Sequence, residues 1–212
     1  MPRRDSIPVV TFASRAQWKA WLAKNHSTSA GVWLEIAKKG SALTSVSYAE
    51  AIEVALCYGW IDGQKAAGDE DRWRQRFTPR APRSRWSKIN RDKATELIER
   101  GGMQRAGLRE VEAAKADGRW DAAYAGQGSI TVPQDLRDEL ERNDKARAFF
   151  ETLDGANRYA VLYRIHDAKK PETRRARIQK FVTMLEEHRT LHPRTGSRPK
   201  GSDANQSRKA SS

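Results

Sequence analysis

The chain has 212 residues, 38% of them hydrophobic, and forty Lys and Arg against 27 Asp and Glu give it a formal net charge of +13. A chain this long buries roughly 70% of its unfolded surface, enough for a core, and seven Trp argue against disorder throughout. No apolar run approaches the roughly 18 residues of a membrane span, the N-terminus lacks a secretory pattern, and the single Cys57 excludes an internal disulfide, so a soluble cytoplasmic protein is expected.

The charge is local. Residues 72–93 hold nine Lys and Arg against Asp92, and residues 189–212 hold six against Asp203. These two segments account for the whole excess, which points to an anionic partner more than to solubility alone.

In chain order, Ser14 with Gln17 reads as a capping box opening a helix that carries Trp18, Trp21 and Leu22. Residues 31–38 alternate as a strand, with Val32, Leu34 and Ile36 on one side. Ser47 with Glu50 is a second capping box, and its helix closes at Gly59. Gly59-Trp-Ile-Asp-Gly63 then reads as a turn, followed by a polar loop to Asp71. Residues 72–78 alternate again: Trp73, Gln75 and Phe77 against Arg72, Arg74 and Arg76, with Pro79 and Pro82 as stops.

Helices are expected over about 87–100 and 106–117, each ended by glycine, and residues 119–132 read as a linker. Pro133 suits the first turn of a helix to about Arg142. Asp144 and Asp154 are read as caps of two further helices, and Pro171 starts a last one with Ile178, Phe181, Val182 and Leu185 buried. The stretch after about His188 is Pro-, Gly-, Ser- and Arg-rich and is expected to be disordered.

The fold class is therefore helix-rich α+β: a small antiparallel sheet with packed helices, then an all-helical C-terminal unit and a disordered basic tail. The expected divisions are 10–125, 132–188 and 189–212.

The arginines of 72–78 form a comb, side chains about 6–7 Å apart on one face. Arg80, Ser84, Trp86 and Lys88 follow into the next helix start, where guanidinium forks and free N–H groups favour phosphate or carboxylate. Arg74, Arg76, Arg80, Ser84, Trp86 and Lys88, with Asp62 as orienter, make a candidate anion pocket. The competing reading is a solvated sheet face paired with Asp69, Glu70 and Asp71. Asp62 is either a general base or a residue holding its own turn. Cys57 reads as a small core residue. His188 and His192 have i,i+4 spacing but no third ligand, so no metal is expected, and no phosphate-loop or dinucleotide motif implies a cofactor.

ALCYGWIDG (55–63), RFTPRAPRSRWSKIN (76–90), GGMQRAGLREVEAAKADGRW (101–120), VPQDLRDEL and AKKPETRRARI together resemble the YdeI/OmpD-associated family, also called the bacteriocin-protection family, over about residues 10–188. The resemblance implies a bacterial protein linked to porin expression and to protection against bacteriocins or cationic peptides, and it transfers no catalytic set and no cofactor. The leading expectation is a non-enzymatic stress or envelope-defence protein binding an anionic small molecule or phosphate group. The alternatives are nucleic-acid binding through the comb and tail, and an enzyme on an anionic substrate with Asp62 as base.

Overall fold

The computed structural model describes residues 7–193. It divides into two compact units between Gly126 and Gln127. The first holds β1 (Val9–Thr11), α1 (Arg15–Asn25), β2 (Val32–Ala37), α2 (Tyr48–Cys57), β3 (Trp60–Ala67), β4 (Arg72–Pro79), α3 (Lys88–Glu99) and α4 (Arg105–Ala116). The second holds α5 (Gln134–Glu141), α6 (Asp144–Glu151), α7 (Gly155–His166) and α8 (Pro171–Glu186). The protein is helix-rich α+β, and no helix among the described residues is long and apolar enough to cross a membrane.

The sheet runs β1-β2-β4-β3. It is mixed rather than antiparallel, because β1 pairs with β2 in parallel. α1 makes that arrangement accessible by carrying the chain back between the two strands. β3 replaces the expected turn and polar loop. Its backbone pairs with β4 from Trp60–Pro79 to Ala67–Trp73, with an irregularity between Asp62 and Lys65. One extra residue there is a bulge, and the buried Gln75 amide closes it by donating to the Gly63 and Gln64 carbonyls at 2.9 and 3.2 Å.

Alternation in β2 and β4 matches the sequence reading: Val32, Leu34, Ile36, Gln75 and Phe77 are buried, and Glu35, Arg72, Arg74 and Arg76 face the other way. Helix α2 packs over the buried face and is itself nearly enclosed from Ala51 to Cys57. Its N-terminus is held by Ser47, whose Oγ accepts from the Glu50 N–H while Glu50 accepts from the Ser47 N–H, satisfying two donors at once. At its other end Gly59 takes φ 73°, a left-handed geometry that suits glycine. Trp18 stacks on Trp21 at 5.5 Å and meets Trp60 edge-on at 6.3 Å, which pins α1 to the core.

In the second unit Leu136, Leu140, Phe150, Leu162, Ile165, Ile178, Phe181 and Leu185 form a separate core. Asn143, not Asp144, caps α6: its side chain accepts from the Ala146 N–H. Pro133 is the cap residue of α5 rather than its first helical one. α8 ends on His188 at φ 55°, with the His188 and Arg189 N–H groups donating to the Leu185 and Met184 carbonyls. The chain stays ordered for a few residues past the expected end. His192 exchanges two backbone hydrogen bonds, at 2.9 and 3.2 Å, with the buried Asn157 side chain. The rest of the basic tail, from 194, lies outside the described residues.

Candidate anion-binding site

The seven residues of the candidate pocket do not form one cluster, because strand pleating separates them. Arg74 and Arg76 lie opposite Glu35 and Trp33 of β2 on the face away from the helices, whereas Asp62 lies opposite the buried Phe77. On the outer face Glu35 accepts from both Arg72 and Arg74 at 3.1 Å. Burial pushes the Glu35 carboxyl up, but hydrogen bonds from Thr11, Arg74 and Arg72 outweigh it and hold the group below its ordinary value. Two teeth of the comb are thus tied down by a β2 carboxylate, not by Asp69, Glu70 or Asp71 as the competing reading supposed. Arg76 is the exception, with its Nε buried and without a partner among the described residues.

The helix start at Ser87 is also occupied. Ser87 Oγ accepts from the Asn90 N–H, and the Lys88 N–H donates to the Tyr124 carbonyl at 2.8 Å. Ser84 is spent in the turn, its Oγ accepting from the Ala81 N–H and its carbonyl from Arg119. The Lys88 side chain is exposed. Ser84 and Lys88 therefore shape the segment and leave few free donors for a ligand.

Arg80 is different. Past Pro79 its N–H donates to the Gly59 carbonyl at 3.0 Å, which draws the chain inward. The residue is 6% exposed. Its guanidinium lies 3.5 Å over the buried Trp86 ring, and Nη1 donates to the Arg85 carbonyl at 3.3 Å. Arg80 Nε and Nη2 and Trp86 Nε1 are buried with no partner among the described residues. Burial pushes the Arg80 pKa down to about 10, and the nearby charges of Glu110 and Asp62 oppose that shift, so the group is still a cation at neutral pH. Trp120 closes the far side, edge-on to Trp86 at 4.9 Å.

Asp62 accepts from the Tyr48 hydroxyl at 2.7 Å. Burial, then this hydrogen bond, pushes the Tyr48 pKa up, so the phenol keeps its proton. Asp62 thereby faces Tyr48, and its charge acts on Arg80 from a distance. Beyond Tyr48 the same side leads to Trp73, 5.9 Å away ring to ring, and to a hollow of about 670 Å³ lined by Lys38, Lys39, Lys65 and Trp73.

Tyr48, Glu110, Trp120 and Arg119 had no signal in the sequence, because each reaches Arg80 or Asp62 through tertiary packing. Among the described residues no group of three or more His, Cys, Asp or Glu is placed to hold a metal ion. His188 instead stacks on Phe149 at 4.9 Å.

Residues 129–188 match the model of the family described as bacteriocin-protection, YdeI or OmpD-associated. Residues 10–110 match a separate model, a domain of unknown function (DUF8412). The GWID motif and the whole comb segment therefore fall under the second description, and the family match itself rests on the helical unit. No curated protein and no solved structure matches the chain.

Proposed function

We propose that this chain, whose residues 129–188 match the YdeI/OmpD-associated, bacteriocin-protection family model, is a non-enzymatic stress or envelope-defence protein whose N-terminal unit binds a small anion. The observation that carries the reading is Arg80, a 6% exposed cation with two unpartnered nitrogens beside the unpartnered Trp86 Nε1. A buried charged donor left unpaired costs several kcal/mol, and an oxyanion accepts from a guanidinium fork with the right geometry to offset it. Binding is favoured over catalysis because Asp62, the carboxylate a reaction would use as base, is committed to the Tyr48 hydroxyl.

The test compares the full chain with Arg80→Met, which removes the guanidinium over Trp86 and keeps an unbranched apolar stem. Phosphate, pyrophosphate and a short oligonucleotide are the probes in a thermal-shift assay. An anion at 100 times its dissociation constant for the Arg80 site adds about 2.7 kcal/mol to the parent chain, and the variant should lose that part of the gain. Equal shifts in both proteins would sink the reading.

Nucleic-acid binding is the second reading, favoured by Arg76, whose unpartnered Nε sits on the outer sheet face next to Trp33. It requires that oligonucleotide affinity fall with salt, by a slope of about 0.9 per phosphate contact on duplex DNA, and that Arg76→Gln lower it.

A further inference from the structure

The start of α4 differs from that of α3. Its cap residue, Gln104, makes no side-chain capping bond, and its first turn holds no acid. The Arg105, Ala106 and Gly107 N–H groups have no acceptor among the described residues. Three free N–H groups at the positive end of a 12-residue helix favour an anion. Arg105 and Ala106 open on a hollow of about 440 Å³ that Ala23, His26, Tyr58, Gln104 and Arg109 also line, while Gly107 behind them is buried against the Leu56 and Cys57 carbonyls.

A second, independent feature points into the same hollow. Tyr58 is only 8% exposed, yet its hydroxyl has no hydrogen-bond partner among the described residues. Its ring is braced by His26 at 5.3 Å. His26 Nδ1 lies 2.9 Å from the Leu22 carbonyl and must donate to it, which leaves Nε2 as the ring nitrogen not engaged there. Arg105 and Arg109, one turn apart, make no ion pair with a described carboxylate.

We infer that this hollow is a second anion site, distinct from Arg80, and that it takes a phosphate group. The α4 amides and the Tyr58 hydroxyl would donate to its oxygens, with Arg105 and Arg109 supplying the charge. The volume exceeds what a lone phosphate fills, so the phosphate of a small monoester fits the site as well as the free ion does.

The experiment is an amide-resolved NMR titration of the full chain at constant ionic strength, with chloride as the reference anion. Inorganic phosphate and glycerol 3-phosphate are the two probes, and the tighter of them identifies the source of the group. Saturable shifts at the Arg105, Ala106 and Gly107 amides are expected. Tyr58→Phe and Arg109→Gln should each weaken binding about tenfold, because the first removes a donor and the second a charge without opening the core. Arg100→Gln, which removes a surface charge just past the end of α3, should leave the affinity unchanged. The inference is overturned if neither probe gives saturable shifts at those amides, or if both site variants bind as the parent does.

Discussion

Gly107→Ala tests whether α4 is seated against the end of α2 as closely as the structure places it. In a solvated helix the change would stabilise by about 1 kcal/mol, since alanine forms helix better than glycine. Here the new Cβ would lie 2.5 Å from the Cys57 carbonyl oxygen, 2.6 Å from that of Leu56 and 2.5 Å from the Met103 sulfur. The Met103 side chain can swing aside, but two backbone oxygens at the end of a buried helix cannot. Relief requires α4 to back away, stretching the Gln104 N–H to Cys57 carbonyl bond, already 3.2 Å. Overpacking of this kind costs about 1–3 kcal/mol and the loosened hydrogen bond about 1 more. After the propensity gain, a net loss of about 2 kcal/mol remains, or roughly 8 °C in the melting temperature of a unit this size. Thermal and urea unfolding of the full chain would measure it, with Gly128→Ala as the control, because nothing lies within 4 Å of that added methyl. A Gly107→Ala protein as stable as the parent, or more so, would refute the close seating and with it the placement of the α4 amides.

Glu35→Gln should destabilise the first unit by about 1–2 kcal/mol at neutral pH, since it leaves Arg72 and Arg74 without their shared carboxylate. The folded pKa of Glu35 is depressed, so its contribution is complete above the unfolded value of about 4.3 and is lost as pH falls through the folded one; parent and variant melting curves should converge as pH falls below that unfolded value. Ser47→Ala removes the capping box of α2 and should cost about 1 kcal/mol in urea unfolding. Asn157→Leu strands the His192 N–H and carbonyl and should cost about 1–2 kcal/mol, with hydrogen exchange at the His192 amide rising well before the α7 and α8 amides respond.

What the sequence disclosed was the local physics. Ser14, Ser47 and Asp154 each accept a hydrogen bond from the first turn of the helix they were read to cap. The alternation of residues 72–78 gave the right faces, because the half-buried Trp73 and the buried Gln75 and Phe77 share the core side of β4, which fixes the register. β3 was hidden by its own composition: Asp62, Gly63, Gln64 and Lys65 are turn-like residues, and only β4 pairing with Gln75 inside the bulge makes them a strand. β1 is three residues at a sheet edge and carries no periodicity to detect. In the candidate site, the identity of Arg80 and Trp86 was legible but their burial was not. Arg80 continues the comb in sequence and leaves it in space, because Pro79 ends the ladder and Gly59 captures the next amide. The α4 hollow had one local trace, a glycine in the first turn of the helix where nothing in the chain's own pattern asks for one.

Total charge says little about where an anion would bind, because much of it is neutralised locally. Arg72 and Arg74 share Glu35, Arg15 reaches Glu53 at 2.8 Å, and Arg174 is held by Asp135, whose pKa it lowers through their hydrogen bond. What discriminates is a donor whose desolvation is not yet offset. By that measure Arg76 stands out on the outer sheet face, and two candidates fall near α4: Arg80, under the charge of Glu110 on that helix, and the free amides of its first turn. Gly59 permits both. A Cβ there would come within 3.0 Å of the Ala106 carbonyl oxygen and of Glu110 Cγ, and its own carbonyl accepts from Arg80. The first residue of the GWID motif thus sets the spacing between α4 and the end of β4, which is the physical role that its position between the two proposed sites requires.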